Sequence, residues 1–194
     1  MKRNLSSVIP AGLIVLMPVV AFAHPGHDLG AHHLASGFLH PFTGLDHILA
    51  MAAVGMWSAQ FGRARWAVPL GFLAMMLAGA LLAFVGVRLP FVESAILASV
   101  LVMGLALLWS LRLPVGAAVA LAGFFALFHG YAHLAEMPAS TSAAVYAGGF
   151  ILASGILLTA GAALGYYLTA IRQTRWLRAC GGAVAAAAFL IAFA

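Results

Sequence analysis

The chain has 194 residues, of which 65% are hydrophobic and only 7% are Asp, Glu, Lys or Arg. This composition excludes a soluble globular domain and predicts a polytopic membrane protein, with the lipid bilayer as its surroundings. The formal net charge of +5 comes from too few ionisable groups for a nucleic-acid-binding surface, so nucleic acid is not expected as a partner. The one cysteine, Cys180, excludes an internal disulfide and a metal cage built from thiolates.

The amino-terminal segment has the pattern of a secretory signal. Lys2 and Arg3 precede an apolar run over 8–20, and a small-x-small signal-peptidase pattern follows that run. We therefore predict a signal peptide over 1–23, which leaves His24 as the first mature residue. An uncleaved anchor helix is the alternative, but the apolar run is shorter than the ~20 residues of a span.

Residues 24–35 are predicted to form a short periplasmic tail rich in glycine and histidine. After cleavage, His24 would offer a free amine and an imidazole to a metal ion, and His27, His32 and His33 would offer further imidazoles. Pro25 lacks an amide proton, so a square-planar chelate through successive amide nitrogens cannot form. We expect the tail to be a weak external collector of metal ions, with a polar leader without function as the alternative.

Apolar stretches long enough to cross a bilayer follow the tail. There are six of them, at 36–60, 67–87, 91–111, 114–135, 142–170 and 176–194. We therefore predict an all-α fold, in which residues 36–194 form one bundle of six transmembrane helices after a cleavable signal peptide. No second domain is expected.

The arginines predict the orientation of this bundle. Alternate connections between the spans hold six of them: Arg63, Arg65, Arg112, Arg172, Arg175 and Arg178. The connections on the other side hold only Arg88. Because positive residues favour the cytoplasmic side, we predict a multi-pass protein of the bacterial inner membrane with a periplasmic mature amino terminus.

Two imidazoles and a carboxylate stand at the start of the first predicted span. Ionisable groups at membrane depth are costly, so they predict a functional site. Residues seven apart on a helix nearly share a face, which would bring His40 and His47 together, although Pro41 predicts a helix start or kink between them. Asp46 could bind an ion or orient a ligand imidazole. Met51 continues the stripe of His47 and is a further candidate ligand.

A second group of donors lies in the fourth predicted span. His129 and His133 are spaced i, i+4, and Glu136 follows about one turn later on the same face. A pair of membrane histidines can also serve as hydrogen-bonding groups between helices. The added carboxylate and the first cluster favour a metal site instead.

The predicted topology brings both clusters to the same depth. The first span enters from outside with its cluster near the start, and the fourth span leaves toward the outside with its cluster near the end. We therefore predict one composite site between these two helices. Imidazole and carboxylate donors without thiolate suit Ni²⁺ or Co²⁺, although imidazole sites also take Zn²⁺ and Cu²⁺.

With these motifs the sequence resembles the HupE/UreJ family of bacterial nickel/cobalt permeases, which are associated with hydrogenase and urease maturation. The resemblance covers nearly the whole chain and includes His-Pro-Gly-His at the mature start, His-Pro-Phe-x-Gly-x-Asp-His and Phe-His-Gly-x-Ala-His-x-x-Glu. Leu134 stands where the family pattern has glycine, and every donor is in place. The resemblance implies that the residues needed for transport are His40, Asp46, His47, His133 and Glu136, with His129 in the second motif.

The expected function is therefore a permease, not an enzyme, that takes Ni²⁺ or Co²⁺ into the cell as its substrate and needs no cofactor. The resemblance adds the supply of metal for hydrogenase or urease maturation, and the metallochaperones of those enzymes as partners. One alternative is an intramembrane zinc-dependent hydrolase, in which Asp46 or Glu136 activates water. Another is an electron-transfer subunit with histidines as axial haem ligands.

Overall fold

The computed structural model describes residues 29–193. The predicted signal peptide and the tail histidines His24 and His27 lie outside the described residues. Within them the chain is helical, with no strand, in agreement with the predicted all-α fold. The seven α-helices are α1 (Leu29–Leu39), α2 (Leu45–Ser58), α3 (Ala67–Phe84), α4 (Val92–Leu108), α5 (Val115–Ala135), α6 (Ala143–Ala170) and α7 (Thr174–Ala192).

Five of the six predicted spans correspond to single helices, α3 to α7. In the described part of the chain, α3, α5, α6 and α7 are long and apolar enough to cross a membrane. α4 is apolar but shorter, with 17 residues. The structure therefore supports a multi-pass helical protein with four candidate spans and one shorter apolar helix.

The first predicted span, 36–60, is not one helix, which corrects the sequence prediction. A 3-10 turn at His40–Phe42 separates α1 from α2. Pro41 has no amide hydrogen for a helical bond, and Gly44 at the start of α2 is extended, with φ −99° and ψ 119°. α2 has 14 residues and rises about 21 Å, less than the ~30 Å hydrocarbon core of a bilayer.

α1 begins at Leu29, within the stretch predicted as tail, and packs against α6. His33 on α1 accepts a hydrogen bond at Nδ1 from the backbone N–H of Ser142, 3.2 Å away. A side chain at Gly149 of α6 would overlap the backbone of α1 at Leu34 and Phe38. α1 is therefore part of the packed structure.

The closest helix contacts are made backbone to backbone. α3 packs along α5, where a Cβ on Gly79 would overlap the carbonyl oxygen of Leu127. α2 packs along α6, where a Cβ on Gly161 would overlap the carbonyl oxygen of Ala52. α4 packs on α7 and also contacts α2 and α5. Small residues permit this close approach, as is typical of membrane helices.

We expect Gly79→Ala to destabilise the α3–α5 contact by roughly 1–3 kcal/mol, because the added methyl group meets backbone that cannot move aside. Gly116→Ala on α5 is the matched control, since nothing lies within 4 Å of a Cβ there. Thermal unfolding in detergent and the amount of protein in the membrane measure the effect. Equal stability of the two variants would contradict the packing described here.

Candidate metal site

The break between α1 and α2 sets the position of the first two imidazoles. His40 lies in the 3-10 turn, and His47 lies in the first turns of α2. Their ring centroids are 6.5 Å apart. Sequence spacing predicted this proximity on one helix face, with a helix start or kink at Pro41; in the structure a 3-10 turn at His40–Phe42 and a new helix from Leu45 bring the two rings together.

The two histidines of α5 complete the group. His129 and His133 are fully buried and lie one turn apart. The His47 ring centroid lies 4.8 Å from that of His129 and 4.6 Å from that of His133. The His40 ring centroid lies 5.0 Å from that of His133. Four imidazoles, two from each predicted cluster, therefore meet between α2 and α5. We call them the imidazole cluster.

Each predicted carboxylate contacts one imidazole of this cluster. Asp46 Oδ1 lies 2.8 Å from His47 Nδ1 and accepts a second hydrogen bond from the His47 backbone N–H. Glu136, at the carboxyl end of α5, places Oε2 3.3 Å from His40 Nε2. The Glu136 side chain is 62% exposed, so it lies at the open edge of the cluster. All six predicted main donors are thus close together.

Several ring nitrogens of the cluster have no partner. Within the cluster, the buried and unpartnered nitrogens are His47 Nε2, His129 Nδ1 and both nitrogens of His133, and the other buried polar atoms without a partner among the described residues are Gln60 Nε2 and Ser154 Oγ. A buried polar atom without a partner is costly, and a native protein has few of them. A neutral imidazole has one N–H and one lone pair, so each of these three rings has at most one nitrogen free to bind a metal. A metal cation accepts lone pairs, so it would account for one such nitrogen in each of the three adjoining rings.

The rings are gathered but not arranged around one point. Within residues 29–193, no three His, Cys, Asp or Glu side chains already have the geometry that would hold a metal ion. The ring of His133 stacks on Phe150 of α6, with centroids 5.0 Å apart and planes 17° apart. Binding of an ion would therefore need side-chain rotation within the cluster.

Other candidates from the sequence do not join the cluster in the described structure. Met51 is fully buried in the hydrophobic core, one turn beyond His47. His32 is exposed on α1.

Sequence reasoning missed several groups that lie against the imidazoles, and the two with the shortest contacts lie on α4 and α6. Ser99 of α4 lies 2.8 Å from His129 Nε2, and Phe150 stacks on His133. Serine and phenylalanine are common in membrane helices, so neither had a local signal. Only the packing of α4 and α6 brings them to the site.

Proximity of His40 and Glu136 can be tested by cross-linking. With Cys180→Ser as background, the pair His40→Cys and Glu136→Cys should be joined efficiently by a short thiol-specific cross-linker. The pair Ser110→Cys and Glu136→Cys is the control. Ser110 lies shortly before the amino end of α5 and Glu136 at its carboxyl end, and a helix of 21 residues is about 30 Å long. Mobility shift on a denaturing gel measures joining. Equal yields from both pairs would contradict the site geometry.

Comparison with known proteins agrees with the motifs. A family model described as "HupE / UreJ protein" matches residues 12–191. Protein HupE of Rhizobium leguminosarum bv. viciae is 40% identical over 172 residues, which cover 88% of this chain and 89% of that protein. No solved structure matches the chain. The extent of both matches shows that the chain belongs to the HupE/UreJ family.

Proposed function

We propose that this protein is a permease that carries Ni²⁺ or Co²⁺ inward across the bacterial inner membrane, with the mature amino terminus in the periplasm. Family membership relates the chain to nickel and cobalt transport. The proposed use of the metal is hydrogenase or urease maturation, with the corresponding metallochaperones as partners. The same membership favours transport over the hydrolase and haem alternatives.

The observation that carries this proposal is the set of unpartnered nitrogens in the imidazole cluster. Imidazole nitrogens with two nearby carboxylates form a donor set that suits borderline divalent metals such as nickel and cobalt. The proposed ligands are His40, Asp46, His47, His129, His133 and Glu136. In this reading Glu136 receives the ion at the exposed edge, and the buried histidines hold it deeper in the bundle.

A transported ion has to leave its site as readily as it enters, so binding cannot be too strong. A donor set that engages the ion only after ring rotation agrees with this requirement. A divalent cation moving inward down ~100 mV gains roughly 4.6 kcal/mol, twice the value for one charge. Uptake by facilitated movement therefore needs no nucleotide hydrolysis.

The direct test is uptake of labelled nickel and cobalt by cells with and without the protein. His47→Ala and His133→Ala should each reduce uptake to the level of cells without the protein, while the amount in the membrane stays nearly unchanged. His32→Ala is the matched control, because this imidazole is exposed and outside the cluster. At abundant metal it should leave uptake intact. Full uptake by His133→Ala under metal limitation would contradict the assignment.

Asp46→Asn separates charge from shape. The amide keeps the size of the carboxylate and can still accept a hydrogen bond from His47 Nδ1, but it removes the negative charge. We expect uptake to fall by about 10-fold or more, which is the lower end of the effect of losing a group that orients a metal ligand. Wild-type uptake by Asp46→Asn would mean that the hydrogen bond alone is needed.

The proposed collecting role of the tail is tested by His24→Ala combined with His27→Ala, which leaves α1 complete. A donor tethered to the permease raises the local ion concentration without forming the route. Uptake should therefore fall at scarce metal and match the wild type at abundant metal. Loss of uptake at every metal concentration, with normal membrane insertion, would instead make the tail part of the obligatory site.

A further inference from the structure

Ser99 is the one hydroxyl group bonded to the imidazole cluster in the described part of the chain. It lies on α4, a helix that carries none of the predicted donors, and it is 1% exposed. Its Oγ is 2.5 Å from the carbonyl oxygen of Ile96 and 2.8 Å from Nε2 of His129. The Ser99 hydroxyl has one hydrogen, so it can donate to only one of these two neighbours.

The hydrogen count decides the direction of both bonds. A serine hydroxyl has one hydrogen to donate, and a carbonyl oxygen can only accept. The contact with Ile96 therefore uses the hydroxyl hydrogen, since otherwise two oxygen lone pairs would face each other at 2.5 Å. The Ser99 oxygen can then only accept from His129, so His129 Nε2 carries the proton.

This fixes the other nitrogen of the same ring. A neutral imidazole has one protonated and one unprotonated nitrogen. With the proton held on Nε2, Nδ1 of His129 keeps its lone pair, and Nδ1 is the nitrogen that has no partner. We propose that Ser99 is a positioning residue, which holds His129 as the Nε2–H tautomer and thereby presents Nδ1 as a metal-binding nitrogen.

The same logic operates on the neighbouring ring from another direction. Asp46 Oδ1 accepts a hydrogen bond from His47 Nδ1, and His47 Nε2 has no partner. The Asp46 carboxylate thus leaves Nε2 of His47 available to a metal, and the Ser99 hydroxyl leaves Nδ1 of His129 available. Groups that hold the second nitrogen of a ligand histidine commonly set its tautomer and its orientation. The metal-binding role of Nδ1 rests on the proposed function, whereas the tautomer of His129 can be measured independently of it.

That measurement is made on the metal-free, full-length protein with isotope-labelled histidine. Two-bond nitrogen–proton correlations distinguish the two imidazole tautomers, and His129→Gln identifies the signals of His129. The wild type should show Nε2 protonated and Nδ1 unprotonated. Ser99→Ala should lose this preference, and Ser99→Thr, which retains a hydroxyl, should restore it. Protonation of Nδ1 in the wild type, or an unchanged tautomer in Ser99→Ala, would overturn the proposal.

Uptake supplies the second readout. Ser99→Ala should raise the metal concentration needed for half-maximal uptake by about 10-fold or more, the range for loss of a group behind a metal ligand. Ser58→Ala is the matched control, because Ser58 is a buried serine that also bonds to the carbonyl three residues earlier but contacts no imidazole. It should behave as the wild type. Equal loss in both serine variants would assign Ser99 a purely structural role and overturn the proposal.

The two readouts separate this inference from the proposed function. If wild-type cells take up neither metal, the transport proposal fails, while the tautomer of His129 still decides the role of Ser99. If uptake is normal and Ser99→Ala changes neither tautomer nor metal dependence, the role of Ser99 fails and transport stands. If Ser99→Ala does not accumulate, the spectra of the wild type and Ser99→Thr decide.

Discussion

The arrangement of this protein depends on keeping unsatisfied imidazole nitrogens inside an apolar bundle. Burial of a polar atom without a partner costs free energy, and the bilayer supplies no water to compensate. The cluster between α2 and α5 therefore lowers stability, and in the proposed function this cost is offset by metal binding. Asp46 and Ser99 each satisfy one nitrogen and leave another free, which limits the cost while keeping donors available.

The surrounding helices hold the cluster from separate sides. α2 and its preceding turn are fixed against α6, and α5 is fixed against α3. α4 contacts both donor helices and delivers Ser99 to His129. α6 delivers Phe150 to His133. Each imidazole thus has a neighbour from an element other than its own.

The sequence predicted the helical fold and the proximity of the two donor clusters, because both follow from the pattern of apolar lengths and histidine spacing. Apolar length identified α3 to α7, and the paired spacing of His129 and His133 gave one face of α5. The matched depth of the two clusters predicted their meeting. The first span as one helix was wrong: the break at Pro41 was predicted as a helix start or kink, but the extended Gly44 that makes α2 a separate short helix had no signal stronger than the apolar length of the stretch. Ser99 was missed because its role depends on how α4 packs, and no spacing within one helix reports that.

The glycine contacts have a mechanical consequence for a binding site shared by two helices. Where backbones touch, as at Gly79 with Leu127 and at Gly161 with Ala52, no side chain is present that could change rotamer and let the helices separate gradually. Each of these two helix pairs, α3 with α5 and α2 with α6, should therefore move as one rigid unit. The imidazoles lie between these two helix pairs. A small tilt of one pair relative to the other should therefore change the distances among the donors more than it changes the packing within either pair.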